Sequence, residues 1–307
     1  MLQSNIDKKT AFVAIVGKPN VGKSSILNNI LSQKIAIVSD KPQTTRTRIT
    51  GILTKGSTQL VFIDTPGMHK PRTNLGEYMV KSVNESVSGV DVCMLVVDAS
   101  SEISDVDLQF IEKFKGQGIK AILVINKIDL IDEKSKLIEK MSEYSRLFDF
   151  ESIIPVSAIK RQGIDIIIDE LEKLAVKSEH FFDSDALTDQ PERVIVSEIV
   201  REKVLRILDK EIPHGVAVFV ERMKKRESTS NLIDIDAVIY CEKESHKRIL
   251  IGKGGSMLKK IGTYSRHDIE KFLSCKVNLK LWVKVKENWR NREKLLRDLG
   301  YDNRDFN

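Results

Sequence analysis

Phe12-Val13-Ala14-Ile15-Val16-Gly17-Lys18-Pro19-Asn20-Val21-Gly22-Lys23-Ser24-Ser25 is an apolar run that breaks into a glycine-bounded turn and resumes as a helical pattern. Residues 17–24 fit the spacing G-x-x-x-x-G-K-[ST], and a preceding strand is the context that gives this spacing meaning. In such a turn the backbone N–H groups point inward at phosphate, and the N-terminus of the next helix favours negative charge. Lys23 is expected to bridge the β- and γ-phosphates, and Ser24 to offer its hydroxyl to Mg²⁺. Gly17, Lys18, Pro19, Asn20, Val21, Gly22 and Ser25 complete the expected nucleotide contact.

Outward from this run, short apolar segments alternate with amphipathic ones. Strands are predicted at 12–16, 60–63, 92–97, 121–125 and 153–155, and helices at 24–32, 75–90, 104–115, 134–147 and 164–176. Strands without polar alternation, separated by helices of this length, predict an α/β unit with a mostly parallel sheet covered on both faces. Its ligands bind where loops gather at the carboxyl ends of the strands.

The remaining motifs fall at those ends. Asp64-Thr65-Pro66-Gly67 follows the second strand, so Asp64 can reach Mg²⁺ through water and Gly67 can set an N–H near a γ-phosphate. Between them lies the polar stretch Pro42-Gln43-Thr44-Thr45-Arg46, where Thr45, in preference to Thr44, is expected to complete the Mg²⁺ shell. Asn126-Lys127-Ile128-Asp129 follows the strand 121–125. The Asp129 carboxylate can accept from N1–H and the 2-amino group of guanine, whereas adenine would leave it unpaired. Lys127 can lie along the base, Asn126 can tie its loop to the phosphate loop, and Ser157-Ala158 can turn the Ala158 N–H toward guanine O6. GTP rather than ATP is the expected ligand. Where related switches place a water-orienting glutamine, this chain has Met68, so unaided hydrolysis is expected to be slow. His69 beside it is a loop histidine and is expected to be a bystander.

At 307 residues the chain is long for one core. Residues 1–178 are expected to form the nucleotide unit, 179–192 a linker, and 193–307 a smaller α+β unit. The formal charge of +6 is uneven: residues 191–307 carry +8 and residues 1–190 carry −2. A polyanionic partner for the second unit is therefore expected, nucleic acid before anionic membrane. No apolar run reaches the roughly 20 residues of a membrane span, and the polar N-terminus does not resemble a secretory signal. Cys93, Cys241 and Cys275 lack metal-binding or pairing patterns and are expected to be buried in a reducing cytoplasm.

Within the second unit, Ile251-Gly252-Lys253-Gly254-Gly255 stands between two helical stretches. A G-x-x-G between helices clamps single-stranded backbone as a KH domain does, because no side chain obstructs the phosphates. Lys247, Arg248, Lys253, Lys259 and Lys260 crowd the same place, so this loop is the candidate RNA site together with Gly252, Gly254 and Gly255. Trp282 and Trp289 are expected to be packing residues rather than base-stacking platforms.

These motifs, with Ser197-Glu198-Ile199-Val200-Arg201-Glu202-Lys203 and Glu211-Ile212-Pro213-His214, resemble the Era family of bacterial GTPases over residues 12–289. The resemblance implies a GTPase that binds the 3′ end region of 16S rRNA through its KH domain and assists assembly of the 30S subunit from its precursor. It implies slow hydrolysis until RNA binds, a monomer, and a cytoplasmic location with partial contact to the inner membrane. The G-x-P-N-V-G-K-S loop also resembles GTPases in which an asparagine, here Asn20, holds a K⁺ ion that replaces an arginine finger. A KH-like protein-docking module and a membrane-surface GTPase are the rival readings; the intact basic glycine loop argues against the first.

Overall fold

The chain is described by a computed structural model covering residues 8–39, 41, 44–67, 73–87, 89–208, 215–226, 231–299 and 301. Pro42, Gln43, Met68, His69 and residues 211–214, singled out above, lie outside the described residues. Two compact units emerge: Met1–Ala36 with Thr45–Lys70 and Met79–Asp189, and Gln190–Asn307 with Ile37–Thr44 and Pro71–Tyr78.

In the first unit the apolar runs become β1 (Lys9–Val16), β3 (Thr58–Asp64), β4 (Val92–Asp98), β5 (Ala121–Asn126) and β6 (Ser152–Pro155), joined by β2 (Ile49–Lys55) and a short β7 (Val176–Lys177). The sheet order is β2-β3-β1-β4-β5-β6, with β7 pairing antiparallel to β1. β1, β3, β4, β5 and β6 are parallel, whereas β2 runs antiparallel to β3. Alternation along β1 sends Val13 and Ile15 into one core with Ile26, Leu27 and Ile167, and Ala14 and Val16 into another with Val83, Phe110 and Phe114. The first core takes α1 (Lys23–Ile30) and α5 (Ile164–Leu174); the second takes α2 (Asn74–Val87), α3 (Asp105–Gln117) and α4 (Lys134–Leu147). Burying each large aliphatic or aromatic side chain contributes roughly 1.5–3 kcal/mol, which is why runs apolar at every position specify this doubly covered sheet. α3 begins with a reciprocal capping box, Ser104 accepting from the Asp107 N–H while Asp107 accepts from the Ser104 N–H.

The expected linker differs from its reading. Phe181 and Phe182 donate their N–H groups to Gln59 Oε1 (2.9 and 3.0 Å), Ile52 N–H donates to Leu187 O (2.9 Å), and Thr188 donates to Thr50 O (2.6 Å). The Phe181 ring meets Phe12 edge-on at 5.0 Å. The Gln59 side chain, the Thr188 hydroxyl and one backbone pair hold the segment to β2 and β3, despite its polar sequence.

The second unit contains α6 (Glu192–Ile207), β8 (Ala217–Lys225), β9 (Leu232–Cys241), α7 (Glu244–Ile251), α8 (Ser256–Leu273), β10 (Lys276–Val285) and α9 (Glu293–Asp298). Its sheet order is β10-β9-β8; β8 and β9 are antiparallel, and β9 and β10 parallel. A parallel pair needs a crossover, and α7 and α8 supply it, which leaves the glycine loop at the crossover's turn. Val218, Val220, Ile235, Ala237, Ile239 and Val277 face Val200, Val204, Ile261 and Ile269 of the helices. Buried charges on α6 are paired: Arg201 Nε donates to Glu198 (2.7 Å), and Lys203 binds Glu202 (3.0 Å) and Asp268. Cys93 and Cys241 are buried as expected, but Cys275 is only half-buried. Among the described residues no helix is long and apolar enough to cross a membrane.

Candidate functional site

β1 stops at Val16 and α1 starts at Lys23, so the phosphate loop occupies the carboxyl end of a buried strand and the N-terminus of a helix. Gly22 has φ 102°, and a Cβ there would lie 2.2 Å from Asn126 Nδ2. Only glycine fits that backbone and that approach. Asn20 is exposed with φ 65°, a left-handed conformation that asparagine tolerates better than most residues. Val21 is buried, Lys18, Pro19 and Ser25 are half-buried, and Gly67 sits so close to Pro19 that a Cβ would meet its N at 2.7 Å.

Lys23 is buried and donates to Gly17 O (3.0 Å) and Lys18 O (2.8 Å). Burial lowers its pKa to about 8, partly offset by the Asp64 carboxylate. Asp64 is fully buried at the end of β3; burial raises its pKa to about 6, opposed by Lys23 and by a hydrogen bond from Ser24. Ser24 Oγ lies 2.6 Å from Asp64 Oδ2 and 3.0 Å from Thr45 Oγ1. Thr44 instead donates its hydroxyl to Lys41 O (2.6 Å). Asp64 Oδ1 is buried without a hydrogen-bond partner among the described residues. Two hydroxyls and a carboxylate with an unused oxygen are the hard donors that Mg²⁺ takes. Thr65 anchors the turn by donating to Ile15 O (2.8 Å), and Pro66 is buried beside it.

The base-facing loops are held to the phosphate loop. Asn126, 2% exposed at the end of β5, donates from Nδ2 to Val21 O (2.8 Å) and accepts from the Ala158 N–H at Oδ1 (3.0 Å). The Ala158 N–H is thus directed to Asn126, where the sequence suggested guanine O6. Lys127 has φ 65° and donates to Asp98 Oδ2 (2.7 Å). Ile128 N–H donates to Val156 O (3.2 Å) and opens the one-turn helix that carries Asp129. Ser157 donates its hydroxyl to Asp129 Oδ1. Sequence reading missed two supports: Asp98, which orients Lys127, and Asn29, which donates to Ala158 O (2.7 Å). Asp98 ends a buried strand beside the strand carrying Asn126, a position that marks site residues in such sheets.

In the second unit Gly252, Gly254 and Gly255 have φ of 73°, 58° and 79°, so the loop between α7 and α8 turns through left-handed backbone. Lys253, Arg248, Lys259 and Lys260 are exposed around it, while Lys247 is half-buried with Nζ 3.8 Å from Glu244. Trp289 is fully buried and donates to Gly215 O (2.9 Å). Trp282, expected to pack, is 44% exposed.

A family described as 50S ribosome-binding GTPase matches residues 12–127, and one described as KH domain matches residues 211–290. The chain is 51% identical over 293 residues to a GTPase Era of Ruminiclostridium cellulolyticum, covering 95% of this chain and 97% of that one. It is 48% identical over 296 residues to a GTPase Era of Clostridioides difficile, covering 96% and 99%. Among solved structures, an Era in complex with MgGDPNP and nucleotides 1506–1542 of 16S ribosomal RNA superposes with a TM-score of 0.91 at 36% identity, covering 96% of this chain and 99% of that one. An Aquifex aeolicus Era variant bound to GDP·AlF₄⁻ gives the same TM-score and identity, covering 95% and 99%.

Proposed function

The chain belongs to the Era family of GTPases, and on that footing we propose that it is a GTP-hydrolysing switch that binds the 3′ region of 16S rRNA in assembly of the small ribosomal subunit. The observation that carries the nucleotide half is the convergence of Ser24, Thr45 and the unsatisfied Asp64 carboxylate beside Lys23. Ser24 and Thr45 would hold Mg²⁺ directly and Asp64 through water. When bound, the ion supplies positive charge to the phosphate oxygens.

The chain's own groups divide the remaining work. Lys23 leaves the carbonyls of Gly17 and Lys18 to meet the terminal phosphates. Its desolvated ammonium gains more from a phosphate than an exposed lysine would. Gly67 would bring its N–H to the γ-phosphate, so loss of that phosphate would release the loop. Asp129, steadied by Ser157, reads the guanine edge, and Lys127, steadied by Asp98, lies along the base. K⁺ at Asn20 is the proposed source of the charge that a missing glutamine and arginine would otherwise provide.

The RNA half rests on the basic loop at Gly252, Lys253, Gly254 and Gly255 and on the rRNA held by the similar Era structure. Crosslinking the protein to RNA in cells, with Gly254→Asp as control, tests it. Reads concentrated at the 3′ end of 16S rRNA and lost in the variant are expected. Reads scattered over messenger RNA, or unchanged in the variant, would overturn the ribosomal role.

A further inference from the structure

The three-stranded sheet of the second unit buries one face against α6 and α8. On its other face Ala217, Val238 and Tyr240 are buried, while Phe219 and Trp282 present aromatic rings to solvent. In the ladder, Phe219 pairs with Val238 and Val238 with Trp282, so the three share that face in one row. Phe219 is 37% and Trp282 44% exposed, while Val238 between them is fully buried. Two ring platforms therefore flank an apolar floor, about 10 Å apart across two strand spacings. The next row places Ala217, Tyr240 and Lys284 together, and the row beyond the bulge places Arg222, Asp236 and Lys280 together.

The charge around the rings is basic. Lys276, Lys280 and Lys284 stand exposed on β10 on the same side as Trp282. Of the acids nearby, Asp234 accepts from Arg226 Nε (2.9 Å) and Asn278 (2.7 Å), Glu221 binds Lys284 (3.0 Å), and Asp236 stands half-buried in the row between Arg222 and Lys280. Burying Phe219 and Trp282 in the core was available to the fold only on the helix-facing side, and strand alternation puts them on the other.

We infer that this face is a second single-stranded RNA surface, in which bases stack on Trp282 and Phe219 and phosphates lie along Lys280, Lys284 and Arg222. Ring faces among lysines suit single strands, because every base has a π-face and every nucleotide a negative charge. A protein partner fits less well, since interface cores are depleted in lysine. The surface lies on the opposite side of the sheet from the helices that carry the glycine loop. The inference rests on the RNA-binding reading of this unit and adds a second place of contact to it.

The chain has two tryptophans, and Trp289 is buried, so a change in emission on binding reports Trp282. The full-length protein is titrated with a single-stranded RNA of about 16 nucleotides, following both tryptophan emission and the anisotropy of a dye on the RNA. Binding is expected to quench Trp282. Trp282→Ala should weaken binding about five- to hundredfold, and Trp282→Phe, which keeps a ring, should restore most of it. Gly254→Asp should weaken binding yet leave the quench at saturating RNA. RNA that binds with unchanged emission, or Trp282→Ala that binds like the parent, overturns the second surface and leaves the glycine loop standing. Gly254→Asp without effect beside an intact quench removes the loop reading instead, and no RNA binding at all removes both. A blue shift with phosphatidylglycerol vesicles but no quench by RNA assigns the face to anionic lipid and also overturns the inference.

Discussion

The Asn126 side chain joins the phosphate loop to the base-reading loops: Nδ2 donates to Val21 O at 2.8 Å while Oδ1 accepts from the Ala158 N–H at 3.0 Å. Asn126→Ala leaves a buried carbonyl and a buried N–H without partners, at about 1–3 kcal/mol each. The thermal midpoint of the nucleotide-free protein should fall, and the Kd for GDP should rise by at least about tenfold. Calorimetric unfolding and nucleotide titration check the two effects together.

Asp129, the proposed guanine reader, accepts the Ser157 hydroxyl at one of its oxygens. Asp129→Asn exchanges an acceptor for a donor, which suits the 2-oxo group of xanthine. Loss of two charge-assisted hydrogen bonds should cost GTP about a hundredfold or more in affinity, and xanthosine triphosphate should gain. Competition binding between the two nucleotides checks this, and GTP affinity that survives the substitution refutes the assignment.

Thr45 and Thr44 are neighbours with different partners, Ser24 for one and Lys41 O for the other. Thr45→Ala should lower GTP turnover at least about tenfold while sparing GDP affinity, because the role proposed for the threonine belongs to the triphosphate state. Thr44→Ala should leave turnover near the parent value. Single-turnover hydrolysis at saturating enzyme separates them.

Two buried charges are expected to set a pH window for nucleotide binding. Lys23 has its pKa lowered to about 8, and phosphate favours its protonated form, so affinity should hold below pH 8 and fall about tenfold per unit above it. Asp64 has its pKa raised to about 6, and the cation needs the carboxylate, so Mg²⁺-dependent affinity should fall about tenfold per unit below pH 6. Asp64→Asn should remove the acid limb and, because the carboxylate partly offsets burial at Lys23, move the alkaline limb to lower pH. GDP titrations from pH 5 to pH 9, with and without Mg²⁺, check both limbs.

Asn20 is exposed and left-handed in the phosphate loop. If K⁺ is held there, turnover should be faster in K⁺ than in Na⁺, and Asn20→Ala should abolish the difference. Equal rates in the two salts remove the ion from the mechanism.

Much of the nucleotide unit was legible in the sequence because its strands are buried on both faces, so 92–97 and 121–125 are apolar at every position. β2 escaped because Gly51 interrupts its apolar run. That glycine is dictated by Leu27 of α1 and Leu31 just after it, which would lie 2.7 and 2.9 Å from a Cβ there. Residues 179–192 read as a linker because their polar sequence carries no sign of the bonds that residues 181–188 make to Gln59, Ile52 and Thr50. Lys127, Asn126 and Asp129 were legible as a motif, but Asp98, which orients Lys127, belongs to a different strand and carries no motif of its own. Trp282 reads as a packing residue but is 44% exposed, because composition does not say which face of a strand is covered. The ladder register does, and it places Trp282 beside Val238 on the face turned away from the helices.

GTP turnover by the full-length protein, measured with and without an RNA fragment of the 3′ region of 16S rRNA and with Gly254→Asp alongside, tests the proposed RNA-linked switch directly. Slow turnover alone, stimulation of about tenfold or more by the fragment, and loss of that stimulation in the variant are expected. Equal turnover with and without the fragment, or stimulation that Gly254→Asp does not reduce, would contradict it.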